Sequence, residues 1–233
     1  MRRRHSDNHN LTYHTGELWN GLPVLTNRGP LLEPYLASIR DVMVRALQEH
    51  PRTLGIRFDL HFPVGWNGPE GEVISRFIES LKARIDADLN RRRQERKDGR
   101  VHPCRLRYFW VKEQGVSAVP HYHVFIFLNR DAYFTLGSFK AVGQPVWVDV
   151  PPEPARANMA ERIINAWASA LWLPPCMARG LVHFPANACH SLDTHSPGAA
   201  DRFREAFKRA SYFAKADTKH YGDGSNKFGC SRG

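Results

Sequence analysis

The sequence predicts an α+β fold with a central, mainly antiparallel sheet and helices packed on it. Two observations favour this prediction: short alternating apolar stretches that suit strands follow one another in hairpin order, and longer segments of helical periodicity are interspersed among them. The 233 residues, 42% of them hydrophobic, can bury one substantial core. We therefore expect one main domain at residues 31–221, after an irregular N-terminal arm at 1–30 and before a flexible tail at 222–233.

The predicted helices have apolar residues three and four positions apart. They cover residues 32–50, about 71–97, 155–173 and 201 to about 219. The predicted strands alternate between apolar and polar residues or form short apolar runs. They cover residues 56–62, 105–112, 119–128, 145–150 and 181–184. The turn-like residues 114–117 are expected to join the second and third strands into a hairpin.

The charge of the chain points to a polyanionic partner. A formal net charge of +10 and a pI near 9.8 favour salt-sensitive binding to phosphates, with nucleic acid as the main candidate and a merely soluble basic protein as the alternative. Arg91, Arg92 and Arg93 end the second predicted helix. They are either phosphate contacts or a solvated face, because the helix dipole also favours cations at a C-terminus.

Two compositional features concern location and metal content. The sequence contains no apolar run of about 18 residues that would span a bilayer, and its first residues are polar, so we expect a cytoplasmic protein in a bacterial host. The four cysteines lack CxxC spacing and are expected to be reduced thiols. A zinc site is a conceivable alternative, formed by Cys176, His183, Cys189 and His190.

A His-x-His pair lies on the third predicted strand. His121 and His123 are two residues apart, so both imidazoles leave the same face of a strand within reach of one metal ion. Glu113, at the end of the preceding strand, is the expected third ligand if the two strands pair through a tight turn. Asp59, on the polar side of the first strand, competes for that role, and a chance pair of histidines is the plain alternative.

The last predicted helix carries a candidate nucleophile. Its polar face contains Lys208, Tyr212, Lys215 and Lys219, spaced i, i+4, i+7 and i+11. Its apolar stripe contains Phe203, Phe207, Ala210 and Ala214. A tyrosine hydroxyl is a poor nucleophile at neutral pH unless cationic neighbours favour the phenolate, and these lysines are suited to that task. The alternative is a tyrosine that covers the edge of the sheet.

The order of these motifs resembles that of the HUH endonuclease superfamily. A His-aromatic-His segment on an apolar strand is followed far downstream by Tyr212-Phe213-Ala214-Lys215. Residues 57–63, 113–123 and 212–219 together resemble the gene-II-type replication initiators of filamentous phages and related prophages, a similarity that covers roughly residues 30 to 230. The resemblance implies an HUH/RRM-like nuclease core that nicks single-stranded DNA at an origin to start rolling-circle replication.

The resemblance also implies roles for individual residues. His121 and His123 would bind a divalent cation, either magnesium or manganese, while Tyr212 would form a 5′-phosphotyrosine and Lys215 would assist at the phosphate. The expected partners are single-stranded DNA at a replication origin and the host replication machinery. We expect the following residues to contact DNA: Arg57, Asp59, His61, Lys208, Lys219, Arg91, Arg92 and Arg93.

One departure and two rival functions qualify the resemblance. Some initiators have two tyrosines one helical turn apart, whereas here the second candidate, Tyr221, lies beyond the predicted helix, so the sequence leaves open how the circle is closed. A non-catalytic nucleic-acid-binding protein is the first rival, with Trp66 or Trp110 stacking on bases. A transposase or plasmid relaxase of the same superfamily is the second.

Overall fold

The computed structural model of the protein describes residues 8–27, 29–68, 72–114, 120–137, 158–217 and 226–232. In chain order its elements are β1 (Tyr13–His14), β2 (Leu18–Trp19), β3 (Leu22–Pro23), β4 (Leu31–Leu32), α1 (Glu33–Glu49), β5 (Arg52–His61), α2 (Val73–Glu95), β6 (Arg107–Glu113), β7 (His121–Asn129), α3 (Met159–Leu171), α4 (Pro175–Ala178), β8 (Val182–His183), β9 (Cys189–Asp193), α5 (Ala199–Ala210) and β10 (Phe228–Cys230). Two 3-10 turns lie at Arg179–Leu181 and Ser211–Ala214. The predicted α+β class is confirmed.

The central sheet has six strands, and each pairs antiparallel with its neighbours. The strand order is β10-β6-β7-β5, with β8 and β9 both beside β5. The predicted hairpin is confirmed: β6 pairs with β7, and Glu113 lies opposite His121. Strand β5 pairs with β7 along its whole length except its first residue, and Asp59 lies opposite His123. The predicted strand at residues 145–150 lies outside the described residues.

Helices cover both faces of this sheet. Side chains that alternate along β5 and β7 point to opposite faces. Phe58 and Val124 pack on one face with α2 and α3, whereas Phe125 and Phe127 pack on the other with α1 and α5. The second layer encloses the polar side of β5, and Asp59 is therefore buried.

The described part of the predicted N-terminal arm lies against the domain. Residues 8–27 contain the small hairpin of β2 and β3, and the Trp19 ring stacks on Phe207 of α5 with ring centroids 6.0 Å apart. The Leu25 N–H donates to Ser211 Oγ at 2.9 Å. This segment contains three two-residue strands, and it packs on the helix that precedes Tyr212.

The prediction of a flexible C-terminal tail is wrong for residues 226–232. Here β10 adds an edge strand beside β6, and the Phe228 ring stacks on Tyr35 of α1 at a centroid distance of 4.5 Å. Gly229 permits close contact, since a Cβ at this position would lie 2.5 Å from the Trp110 indole. Glycine, which composition associates with mobility, is used here for packing.

Three of the described helices agree with the predicted helical segments. Helices α1, α2 and α3 fall within the predicted segments and differ from them by only a few residues at either end. Within the described ranges, none of the helices combines the length and the apolar character needed to cross a membrane.

The fit of β10 leads to a stability prediction. We expect Gly229→Ala to lower the free energy of unfolding by about 1–3 kcal/mol, because the new methyl group collides with the Trp110 indole. Urea unfolding measures the change. The penalty of the methyl group should shrink in the background Trp110→Leu, and an unchanged stability of the single variant would show that β10 does not pack in this way.

Candidate metal and tyrosine site

The strand register brings five titratable side chains to one end of the sheet. The end of β6, the start of β7 and the end of β5 are neighbours there, so Glu113 and His61 flank His121, and Asp59 lies beside His123. All of them are on the face that α1 and α5 cover. The sequence predicted this grouping for Glu113 with the two histidines, and the structure confirms their proximity.

Glu113, His121 and His123 form a candidate metal site. One ligand atom from each lies within 4.8 Å of the others, and the Nε2 atoms of the two histidines are 3.3 Å apart. His123 Nε2 is 3.2 Å from Glu113 Oε2. Two imidazole nitrogens and one carboxylate oxygen suit a divalent ion such as Mn²⁺ or Mg²⁺, with further positions left for substrate oxygens.

Asp59 lies behind this set instead of completing it. His123 Nδ1 donates to Asp59 Oδ1 at 2.6 Å, which fixes the ring so that Nε2 faces Glu113. The other carboxylate oxygen of Asp59 lies 3.4 Å from Nδ1 of His183. The sequence had offered His183 only for the zinc alternative and not as a neighbour of Asp59, opposite which a short strand places it. Asp59 therefore orients a candidate ligand, and Glu113 lies in the candidate ligand position that the sequence left open between the two carboxylates.

The local electrostatics shift the pKa values of the two histidines in opposite directions. Burial, together with the neighbouring His123 and His61, lowers the pKa of His121 to about 4, so this ligand is unprotonated at neutral pH. Burial also favours the neutral form of His123, but hydrogen bonds to Asp59 and Glu113 outweigh that effect and raise its pKa. Burial would raise the pKa of Asp59, yet its hydrogen bond with His123 lowers it. The carboxylate behind His123 is therefore kept ionised.

The predicted continuous helix through residue 219 is wrong after Ala210. Helix α5 ends there, a 3-10 turn spans Ser211–Ala214, and Lys215 is extended with φ −58° and ψ 142°. Backbone contacts of the following residues with the segment before β4 redirect the chain, since the Ala216 N–H donates to the Pro30 carbonyl. Lys215 consequently leaves the predicted helical face of Lys208, although it remains a neighbour of Tyr212.

Lys215 joins the tyrosine to the candidate metal ligands. Its Nζ donates to Tyr212 Oη at 2.5 Å and lies 2.7 Å from Glu113 Oε2. The Tyr212 ring meets the His123 ring edge-on, with centroids 5.5 Å apart. Lys215 is 7% exposed and Glu113 is 2% exposed, so this ion pair is shielded from water. The sequence had predicted that Lys215 lies on the polar face of a helix. In the structure Lys215 is buried and its ammonium contacts the candidate ligand Glu113.

The DNA-contact candidates separate into two groups, and the first lies at this site. The Arg57 guanidinium lies over the Tyr212 ring at 5.0 Å from its centroid, and His61 stacks on His121 at 5.3 Å. Lys208 is exposed on α5, one turn before Tyr212. Lys219, like Tyr221, lies outside the described residues.

The second group, Arg91, Arg92 and Arg93, lies at the opposite end of the sheet. Arg91 and Arg92 pair with the buried carboxylate of Asp88 at 2.8 Å each, and Arg92 also donates to the carbonyl of Ala132, just beyond β7. Because a strand rises about 3.3 Å per residue, that end is roughly 25 Å from His121. These pairs stabilise the end of α2, and only Arg93 of the three is fully exposed.

The residues of the rival interpretations are positioned as follows. Trp66 stacks on Phe62 with ring centroids 5.6 Å apart, and Trp110 meets Tyr122 edge-on at 5.6 Å, so both indoles are partly buried. Among the described residues, the cysteines and histidines of the zinc alternative do not form a group with metal-binding distances.

Comparisons with known proteins agree on one family. A family model described as "YagK/YfjJ C-terminal domain" matches residues 14–231. The chain is 34% identical over 207 residues to "Uncharacterized protein YagK" of Escherichia coli (strain K12), covering 85% of this chain and 92% of the relative. It is 30% identical over 208 residues to "Uncharacterized protein YfjJ" of the same strain, covering 85% and 94%. No solved structure matches the chain significantly.

The contact between His123 and Asp59 leads to a metal-affinity prediction. We expect Asp59→Asn to weaken Mn²⁺ binding about 10- to 100-fold, because the ring loses the charged acceptor that orients Nε2. Isothermal titration with Mn²⁺ in the absence of DNA measures the change. The matched control is Asp86→Asn on the exposed side of α2, which should bind Mn²⁺ as the wild type does. Equal affinity in both variants would remove Asp59 from the site.

Proposed function

We propose that this chain, which belongs to the YagK/YfjJ C-terminal domain family, is a metal-dependent endonuclease of the HUH type that nicks single-stranded DNA. The observation that carries the proposal is the placement of Tyr212 Oη beside Lys215, whose ammonium also contacts the candidate metal ligand Glu113. A nucleophile, a cation beside it and a two-histidine ligand set thus converge at one end of the sheet. The ordered motifs of the sequence agree with this assignment.

The candidate ligand set is suited to activating a phosphodiester. A divalent ion held by His121, His123 and Glu113 would withdraw charge from a phosphate oxygen and make the phosphorus more electrophilic. Lys215 Nζ, which donates to Tyr212 Oη, places a positive charge beside the attacking oxygen and the phosphate. Arg57, over the tyrosine ring, adds a second positive charge where negative charge develops.

The chemical step is a transesterification without net hydrolysis. Tyr212 Oη gives up its proton and forms a bond to phosphorus, while the bond between phosphorus and the 3′ oxygen breaks. The 3′ oxygen takes up a proton and leaves as a hydroxyl, and the 5′ phosphate stays on the tyrosine. The bond energy is retained for later rejoining, and the free 3′-hydroxyl is a primer for a polymerase. These products suit initiation of rolling-circle replication at an origin, with host replication proteins as partners.

Removal of the Tyr212 hydroxyl oxygen tests the assignment of the nucleophile. We expect Tyr212→Phe to eliminate the covalent protein–DNA adduct while leaving DNA affinity nearly unchanged, because the half-buried ring is preserved and only Oη is removed. Denaturing gels of labelled single-stranded oligonucleotides incubated with Mn²⁺ show the adduct as a shifted band. Tyr221→Phe is the matched control and should form the adduct normally. An adduct that persisted in Tyr212→Phe would assign the nucleophile elsewhere.

Lys215 should have opposite effects on metal binding and on chemistry. Its ammonium contacts Glu113, so a metal ion must share or displace that partner against like-charge repulsion. We expect Lys215→Met to tighten Mn²⁺ binding about tenfold, or ~1.4 kcal/mol, and to slow adduct formation. Isothermal titration and single-turnover gels measure the two quantities. Lys208→Met, which removes an exposed lysine of α5, should leave Mn²⁺ affinity unchanged, whereas weaker Mn²⁺ binding by Lys215→Met would contradict the competition.

A further inference from the structure

Helix α3 ends in an exposed tryptophan. Trp172 follows the last helical residue, and its backbone N–H donates to the carbonyls of Ala168 and Ser169. It adopts the left-handed conformation, with φ 55° and ψ 38°. Glycine is the usual residue at such a helix end because a Cβ is disfavoured there. The helix end therefore does not explain the presence of the largest side chain, which remains 68% exposed.

An arginine holds the indole from one side. The Arg76 guanidinium lies 4.1 Å from the centroid of the Trp172 ring, and its Nε donates to the Ala170 carbonyl at 3.2 Å. The guanidinium is thus fixed to the end of α3 and stacks beneath the indole as a cation–π contact. Because two thirds of the side chain remain accessible, the ring presents a flat, braced surface to solvent.

The direction of α3 places this surface at the same end of the sheet as the candidate metal ligands, although α3 packs on the opposite face. Trp167, in the last turns of α3, donates its indole N–H to the His61 carbonyl at 2.9 Å, and His61 stacks on His121. Trp172 comes five residues later, roughly 8 Å further along the helix axis. The start of α3 lies toward the other end, where the Ala160 N–H donates to the Leu136 carbonyl, after β7 has ended.

We propose that Trp172 is a stacking platform for one base of the single-stranded DNA that flanks the nicked bond. This inference rests on the proposed nuclease function and extends it to a second subsite. A flat aromatic ring can stack on any base. The contact therefore suits a DNA strand that crosses the end of the sheet without recognition of its sequence. Arg76 braces the ring while its charge is partly offset by an ion pair with Glu72 at 3.5 Å, and the +10 net charge of the chain favours a polyanion over a protein partner.

Binding of a thymidine oligonucleotide tests the platform. We expect Trp172→Ala to weaken binding about 5- to 150-fold, which is the range for loss of one base stack. Fluorescence anisotropy measures the affinity at several salt concentrations. The slope of log affinity against log salt should not change, because the variant removes no phosphate contact. Trp172→Phe, which keeps an aromatic face, should recover most of the affinity.

Two further variants separate stacking from general damage. Trp172→Gly should bind DNA as weakly as Trp172→Ala but unfold at a higher temperature, since glycine accepts the left-handed conformation. Phe134→Ala removes an aromatic ring that is 79% exposed and lies near the opposite end of the sheet. It should bind DNA like the wild type.

The results distinguish this inference from the nuclease proposal. If Trp172→Ala binds DNA within twofold of the wild type while Tyr212→Phe loses the adduct, the platform is wrong and the nuclease assignment stands. If the wild type forms no adduct but Trp172→Ala weakens binding as expected, the platform is supported in a binding protein without nuclease chemistry. Equal losses in Trp172→Ala and Phe134→Ala would also overturn the platform, because they would reflect nonspecific contact.

Discussion

The organisation of the site depends on a carboxylate that the fold removes from water. Glu113, the last residue of β6, is almost fully buried, and a buried carboxylate is costly unless cationic or hydrogen-bonding groups surround it. Lys215 and His123 supply those contacts at 2.7 Å and 3.2 Å. The same requirement for positive charge makes the position suitable for a metal ion. The lysine therefore stabilises the carboxylate in the metal-free protein and brings Tyr212 to the site.

This requirement also explains the shape of the chain after α5. We expect a lysine on a continued helix to lie on its outer face, away from the buried carboxylate at the end of β6. The 3-10 turn at Ser211–Ala214 and the extended Lys215 let the side chain reach inward, while Phe213 fills the core beside Phe109 at a centroid distance of 5.1 Å. Tyr212, between the two, is left half-buried with its hydroxyl against the ammonium. One change of backbone direction thus positions both groups.

The sequence was informative where a pattern is local and failed where distant contacts decide. Alternation and spacing predicted β5, the β6–β7 hairpin and the proximity of Glu113, His121 and His123, because strand register follows from periodicity. The end of α5 depends on backbone contacts with residues 30–31, far away in sequence. The strand β10 is held by contacts with Tyr35 and Trp110, which are distant in sequence. The sequence could not show these contacts, and the glycines of the segment therefore led to a prediction of mobility. The roles of Asp59 and His183 required the register of β5, β7 and β8 together.

The charges around Tyr212 are consistent with the proposed reaction. When both histidines are counted as neutral metal ligands, the carboxylates of Asp59 and Glu113 balance Lys215 and Arg57. A divalent ion would leave an excess of about two positive charges. A phosphodiester and a tyrosine phenolate each bring one negative charge, and together they would neutralise that excess. Under the proposed mechanism, the site would therefore match the charge of the reacting pair more closely than that of DNA alone, and stronger interaction with the transition state is what lowers a reaction barrier.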